Sequence, residues 1–170
     1  MLAMAVAQLS HQVILQEGIQ AYQDAQQHQV TETFSKVIEA NILLSGVGFE
    51  SCGIAAPHGL GNTASVLART HGMMHGEKVA YGILCSRLLN HAPQKELEEL
   101  YRFFHAVHLP ITLEQLGLDQ ITDAELDDWV AAACSRHEYV KNEPVETTPD
   151  LVRAAILEAD RLGRAFLARA

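Results

Sequence analysis

Positive charge is scarce in this chain. Its 12 Lys and Arg face 21 Asp and Glu, giving a formal net charge of −9. Long-range repulsion therefore opposes nucleic acid and anionic membrane as partners. Long apolar runs are missing as well: the longest, Val79 to Cys85 counting Gly82, is far short of the roughly 20 residues a membrane-spanning helix needs. The first seven residues are apolar, but no basic segment or cleavage site surrounds them, so no secretory signal is expected and the cytoplasm is the expected location. Cysteine is sparse and odd in number. Cys52, Cys85 and Cys134 form no CxxC knuckle and suit reduced thiols, each filling core space as a small hydrophobe. Alternating apolar and polar runs bounded by turn residues are absent, which removes the strand signal.

What is present is helical spacing and enough apolar material to bury a core. With 170 residues, 48% of them hydrophobic, the chain is read as one all-α helical bundle, a single domain over residues 1–170 or one lobe of a larger enzyme. Helices are expected over residues 2–24 and 31–45. The second is apolar on most faces (Phe34, Val37, Ile38, Ile42, Leu43, Leu44), therefore central, and stopped by Gly46 and Gly48. Two more are expected from about Gly53 to Thr70 and from His75 to Asn90. After Pro93, Leu97, Leu100, Tyr101, Phe104 and His108 mark an amphipathic helix ended by Leu109-Pro110. Thr112-Leu113-Glu114-Gln115 and Thr122-Asp123-Ala124-Glu125 match the capping box, in which a threonine hydroxyl and a later side chain satisfy each other's free amides. The second box opens a helix presenting Leu126, Trp129, Val130 and Ala133. Thr148-Pro149-Asp150 opens the last helix, with Val152, Ile156, Ala159, Gly163 and Phe166 as its core stripe. Residues 136–147 read as a surface loop.

Candidate chemistry concentrates on His58 and His75. They are seventeen residues apart on different elements, so neutral imidazoles from both can converge on one cation. Nine histidines make such spacing common by chance. The surroundings add weight: seven of the eleven glycines, at positions 46, 48, 53, 59, 61, 72 and 76, crowd this stretch. Glycine is unfavourable inside helices unless backbone must approach a ligand or another element. Gly46 and Gly48 follow a helix rather than a strand and lack a third glycine, which excludes a dinucleotide-binding turn. His71 is placed near the site, His108 in the core, and His11, His28, His91, His105 and His137 at the surface. Glu77 is assigned to the positive end of its helix.

Gly-Val-Gly-Phe-Glu-Ser at 46–51, Ala-Ala-Pro-His at 55–58, Asn62 and His-Gly-Glu-Lys-Val-Ala at 75–80 resemble the glycerol dehydrogenases of the iron-containing alcohol dehydrogenase family, and the likeness runs over nearly the whole chain. That resemblance implies the C-terminal, all-helical metal-binding domain of a two-domain dehydrogenase. The N-terminal NAD-binding lobe and an aspartate ligand would lie upstream of residue 1. It further implies that His58 and His75 hold Zn2+, with Fe2+ or another divalent ion as alternatives, and that Phe49 walls the substrate pocket. The chain departs from the family pattern at Cys52, commonly glycine, and at Gly61, often histidine.

The implied reaction oxidises glycerol to dihydroxyacetone with NAD. NAD belongs to the full-length enzyme and is not bound by this chain, which is expected to be inactive alone and to self-associate as a homo-oligomer. Two other readings stand beside it. One is a stand-alone helical metal-binding or self-association module derived from the lobe. The other is the lobe of a dehydrogenase for another small alcohol or diol.

Overall fold

In the computed structural model, which describes residues 2–135 and 138–170, every regular element is helical. The expected surface position of His137 and the start of the 136–147 loop fall outside the described residues. The chain divides into two compact units, Met1–Gly53 and Ile54–Ala170. No single helix among the described residues is long and apolar enough to cross a membrane.

In the first unit, α1 (Leu2–Gln26) packs along a second helical run made of α2 (Glu32–Glu39), a π turn (Ala40–Leu44) and α3 (Ser45–Cys52). Asp24 is 4% exposed and fixes the turn between them. Its carboxylate accepts from the Thr31 hydroxyl and from Gln20 Nε2 at 2.9 Å, while Thr31 Oγ1 caps α2 by accepting the Phe34 N–H at 3.0 Å. Two expectations fail here. Gly46 and Gly48 do not stop the run: both lie inside α3, which ends at Gly53 with φ 75°. An internal glycine costs only about 1 kcal/mol against alanine, too little to end a helix held along α1, and at Gly48 an added Cβ would sit 3.3 Å from that of Ala7. Nor is the run buried. Ile38, Leu43 and Ile42 are exposed, Ile42 by 72%, and the buried positions are Ala40 and Gly48. Apolar residues around a helix do not reveal how many neighbours it has, and within this unit α1 covers one face.

The second unit holds α4 (Ala56–Thr63), α5 (His75–Leu89), α6 (Gln94–Ala106), α7 (Asp123–Ala133) and α8 (Pro149–Leu167). Instead of continuing to Thr70, α4 gives way to two short 3₁₀ turns, Ala64–Val66 and Ala68–Thr70. The buried Thr70 hydroxyl donates to Ala64 O at 2.7 Å across them. The core stripes of α6 and α7 lie where their spacing put them: Leu97, Leu100, Tyr101 and Phe104 are buried, as are Leu126, Trp129, Val130 and Ala133. In α8, Val152, Ile156, Ala159 and Gly163 are buried and Phe166 is half-exposed near the end. Tyr81 and Tyr101 carry their hydroxyls into the core and donate to Ile156 O and Ala159 O, both at 2.8 Å. Burial raises the pKa of both phenols and of the Cys85 thiol, keeping all three uncharged. Only Cys85 is the expected core thiol. Cys52 is exposed and Cys134 half-buried, because the first sits on the uncovered face of α3 and the second just past the end of α7.

Of the two capping boxes, the second forms fully: Glu125 N–H donates to Thr122 Oγ1 at 3.2 Å and Thr122 N–H to Glu125 Oε2 at 2.9 Å. The first forms by half. Gln115 N–H reaches Thr112 Oγ1 at 3.2 Å, but its side-chain oxygen accepts from Ile111 N–H at 2.7 Å, and a single 3₁₀ turn (Glu114–Leu116) follows, closed by Gly117 at φ 74°. The Glu125 carboxylate is held below its ordinary pKa by the Thr122 amide and hydroxyl and then by Arg69. A lowered folded-state pKa means that this group's contribution to stability is present above the ordinary glutamate value of about 4.3 and is lost as pH falls through the lower folded value. Glu125→Gln should flatten that part of the acid limb in urea melts taken between pH 5 and about pH 3. An acid limb identical to that of the wild type would show the cap to be electrostatically idle.

Candidate metal centre

The α4–α5 pair is built for close approach. Pro57 at the second position of α4 lacks an N–H that the helix start would leave unbonded in any case. A Cβ on Gly82 would lie 2.5 Å from Pro57 O, and one on Gly61 would lie 2.7 Å from Val79 Cγ2 and 3.1 Å from Val79 N. The pairing of 57 with 82 and of 61 with 79 makes the helices antiparallel, with backbones touching where side chains are missing. Gly59 meets the segment around Val140 in the same way. These glycines therefore serve helix packing, while Gly46, Gly72 and Gly76 have nothing within 4 Å of an added Cβ. A histidine at position 61 would have to displace α5.

This packing brings His58, in the first turn of α4, to His75, the first residue of α5. Their ring centroids are 5.7 Å apart with planes inclined by 46°. Burial, and then the neighbouring His75, lower the pKa of His58 and favour the neutral imidazole that a cation requires. Two rings bound through nitrogen at about 2.0–2.1 Å to one tetrahedral ion hold their centroids roughly 5 Å apart, so the observed spacing suits a shared cation after a small adjustment. No third His, Cys, Asp or Glu joins them among the described residues. The donor set thus fits two positions of a coordination sphere and leaves the others to ligands outside this cluster.

Phe49 belongs to the first unit, on α3, where it is 51% exposed. His71 directs Nε2 to Ser65 O at 2.8 Å, tying the two 3₁₀ turns together next to α5. Glu77 accepts the Met74 N–H at 2.7 Å, serving the helix start as expected. His108 is not a core residue. It sits past the end of α6 at φ 58°, exposed, with His108 N–H donating to His105 O at 3.2 Å and Leu109 N–H to Phe104 O at 2.8 Å. That pattern is the Schellman stop, and His28 and His91 occupy the same left-handed position after α1 and α5. Three of the nine histidines are therefore helix terminators, a role for which the imidazole's tolerance of positive φ is the available signal.

One contributor escaped the sequence reading. Glu143, in the supposedly featureless loop, accepts from Ala56 N–H at 2.9 Å and Ser86 Oγ at 2.8 Å through Oε1, and from Asn90 Nδ2 at 2.6 Å through Oε2. Its partners are 57 and 87 residues away for Ser86 and Ala56, so no local pattern announces it.

No family model matches the chain. Among curated proteins, glycerol dehydrogenase of Thermotoga maritima is 43% identical over 164 residues, covering 96% of this chain and 45% of the relative. Glycerol dehydrogenase of Escherichia coli O6:H1 is 45% identical over 165 residues, covering 97% of this chain and 45% of that protein. Glycolaldehyde reductase of Halobacterium salinarum is 39% identical over 159 residues, covering 94% and 44%. The crystal structure of a probable glycerol dehydrogenase from Sinorhizobium meliloti superposes with a TM-score of 0.92 at 37% identity, covering 96% of this chain and 46% of that one. An iron-containing alcohol dehydrogenase from Thermotoga maritima shares the fold at a TM-score of 0.54 and 21% identity, covering 89% of this chain and 42% of that one.

The chain thus shares its helical fold with part of an iron-containing alcohol dehydrogenase. More particularly, it is a homologue of the glycerol dehydrogenases and matches their C-terminal, all-helical part. It spans about 45% of the length of the curated relatives it matches.

Proposed function

We propose that this chain is the cation-holding lobe of an NAD-dependent glycerol dehydrogenase, with His58 and His75 as two ligands of Zn2+ or of another divalent ion such as Fe2+. The observation that carries this reading is the 5.7 Å approach of the two rings on helices packed backbone to backbone. When bound, the ion supplies Lewis-acid activation of a substrate hydroxyl, lowering its pKa so that glycerol can lose hydride and become dihydroxyacetone. The chain's own contribution is to present two neutral nitrogens at a fixed separation. The lowered pKa of His58 keeps its nitrogen open to a cation at lower pH than an ordinary imidazole. Phe49 is assigned the apolar contact to substrate carbons. NAD, hydride acceptance and the aspartate ligand belong to a segment outside residues 1–170, so this chain alone should not turn over glycerol. A cytoplasmic homo-oligomer completes the reading.

A second reading changes the substrate to another small alcohol or diol. The similarity to glycolaldehyde reductase favours it, since both relatives match the same lobe.

The test is calorimetric titration of the metal-free chain with Zn2+. His58→Ala and His75→Ala should each weaken binding on the order of a hundredfold, because each removes a direct ligand. Binding that survives both substitutions would exclude the pair as the site. NADH formation from glycerol by the chain alone would refute its assigned dependence on another segment.

A further inference from the structure

We infer that Glu143 is a positioning residue that sets the distance between the two imidazoles by locking the lengthwise register of α4 on α5. The inference rests on the cation-holding reading for its functional meaning, though not for its geometry.

Three observations combine. First, α4 begins without a side-chain cap of its own: Ala55 precedes it and has no side-chain oxygen, so the free N–H of Ala56 depends on an acceptor from elsewhere. Glu143 supplies that acceptor to Ala56 N–H, and a carboxylate at a helix N-terminus is also favoured by the helix dipole. Its neighbour Asn142 holds the preceding turn by donating Nδ2–H to Ile54 O at 2.9 Å. The dipeptide 142–143 thus grips the backbone immediately before His58.

Second, the same carboxylate is bonded to the C-terminal end of α5, through Ser86 in its last turn and Asn90 just past Leu89. Asn90 is itself oriented by donating Nδ2–H to Ser86 O at 2.8 Å. One rigid, planar group therefore bonds both helices, and charge-assisted bonds of 2.6–2.9 Å are the stronger kind.

Third, α4 and α5 approach so closely that their register and the ring separation are tied. An added Cβ at Gly61 would meet Val79 Cγ2 at 2.7 Å and one at Gly82 would meet Pro57 O at 2.5 Å, so Val79 seats against the Gly61 notch and the Glu143 bonds at the other end of the pair add to that fit in holding one register. His58 lies two residues beyond Ala56 and His75 opens α5. A slip of α4 along α5 changes the ring separation directly.

The experiment uses the full chain with isotopically labelled histidine, in the wild type, Glu143→Ala and Glu143→Gln. The primary readout is the ring-to-ring nuclear Overhauser effect between His58 and His75 without metal, with circular dichroism to confirm folding. The wild type should show the cross-peak and Glu143→Ala should reduce it several-fold while helix content is kept. Glu143→Gln retains one oxygen for Ala56 and Ser86 but turns an amide N–H2 toward Asn90; it should fall between the two, and it decides the matter if the alanine variant does not fold. Zn2+ affinity, measured on the same samples, should weaken roughly tenfold in Glu143→Ala, the size expected when a ligand's support is removed. An unchanged cross-peak in a folded variant overturns the inference, whatever the metal does. A reduced cross-peak in a chain whose wild type binds no Zn2+ leaves the positioning role standing and sinks the cation reading instead.

Discussion

Replacing Gly163 by alanine is expected to lower the stability of the second unit by about 3 kcal/mol, although alanine is the better helix former. The propensity gain is close to 1 kcal/mol for a helix-interior glycine. Against it stands the position of the new methyl group: it would lie 1.8 Å from Ile111 O, 2.8 Å from Ile111 C and 3.0 Å from Thr112 Cγ2. Two of these atoms are backbone and have no rotamer to escape into, so α8 and the 111–113 segment must separate. Separation strains the bond from Leu113 N–H to Asp160 Oδ1, now 2.8 Å, and a buried donor left without its acceptor costs about 1–3 kcal/mol. Overpacking itself commonly costs a further 1–3 kcal/mol. Urea unfolding followed by circular dichroism measures the net effect, with Gly46→Ala as the control. Gly46 is helical with open space around it, so alanine there should stabilise by about 0.5–1 kcal/mol. If both substitutions stabilise alike, the close approach of α8 to Ile111 is not real.

The contrast between those glycines also marks what a sequence conveys and what it withholds. Glycine enrichment around His58 signals close backbone approach, and Gly59 and Gly61 provide it, joined by Gly82, which lies outside that enriched stretch. Nothing local distinguishes them from Gly46, where the chain simply tolerates a missing side chain, and so an uninterrupted α3 was read as a stop. Helical period was legible where one face meets a large core, as in α7, whose four expected core residues are all buried. It misled for α2 and the π turn, where apolar side chains are abundant but Ile42 and Leu43 are exposed. His58 and His75, whose ring centroids lie 5.7 Å apart, stand out in the sequence through their surrounding motifs, because a separation of seventeen residues by itself selects no partner. Glu143 was invisible for a physical reason: a polar clamp acts between elements, and its signature is a distance in space rather than a period in the chain.

Trp129→Ala should have an effect at least as large, about 3–5 kcal/mol, the usual range for emptying a buried aromatic site. Trp129 is 1% exposed and bonds α7 to α4 by donating Nε1–H to Leu60 O at 3.1 Å. Two contributions are lost together, packing and the hydrogen bond, and they can be separated. Leu60 O also accepts the Ala64 N–H, so it is not orphaned when the indole leaves. The bond should therefore account for only about 1 kcal/mol, and Trp129→Phe, which keeps much of the volume, should cost less than half of what Trp129→Ala does. Because this is the chain's single tryptophan, circular dichroism rather than fluorescence must follow the urea melts. A loss of 3–5 kcal/mol is a large share of the 5–15 kcal/mol that holds a typical domain together. The consequence reaches the imidazole pair as well: Leu60 lies two residues beyond His58 on α4, so loosening the α7 side frees the helix that Glu143 holds from its N-terminal end. Zn2+ affinity should then fall in Trp129→Ala even at temperatures where the chain remains folded, and stay near the wild-type value in Trp129→Phe. Equal destabilisation by both substitutions would assign the stability to the hydrogen bond and refute the packing account.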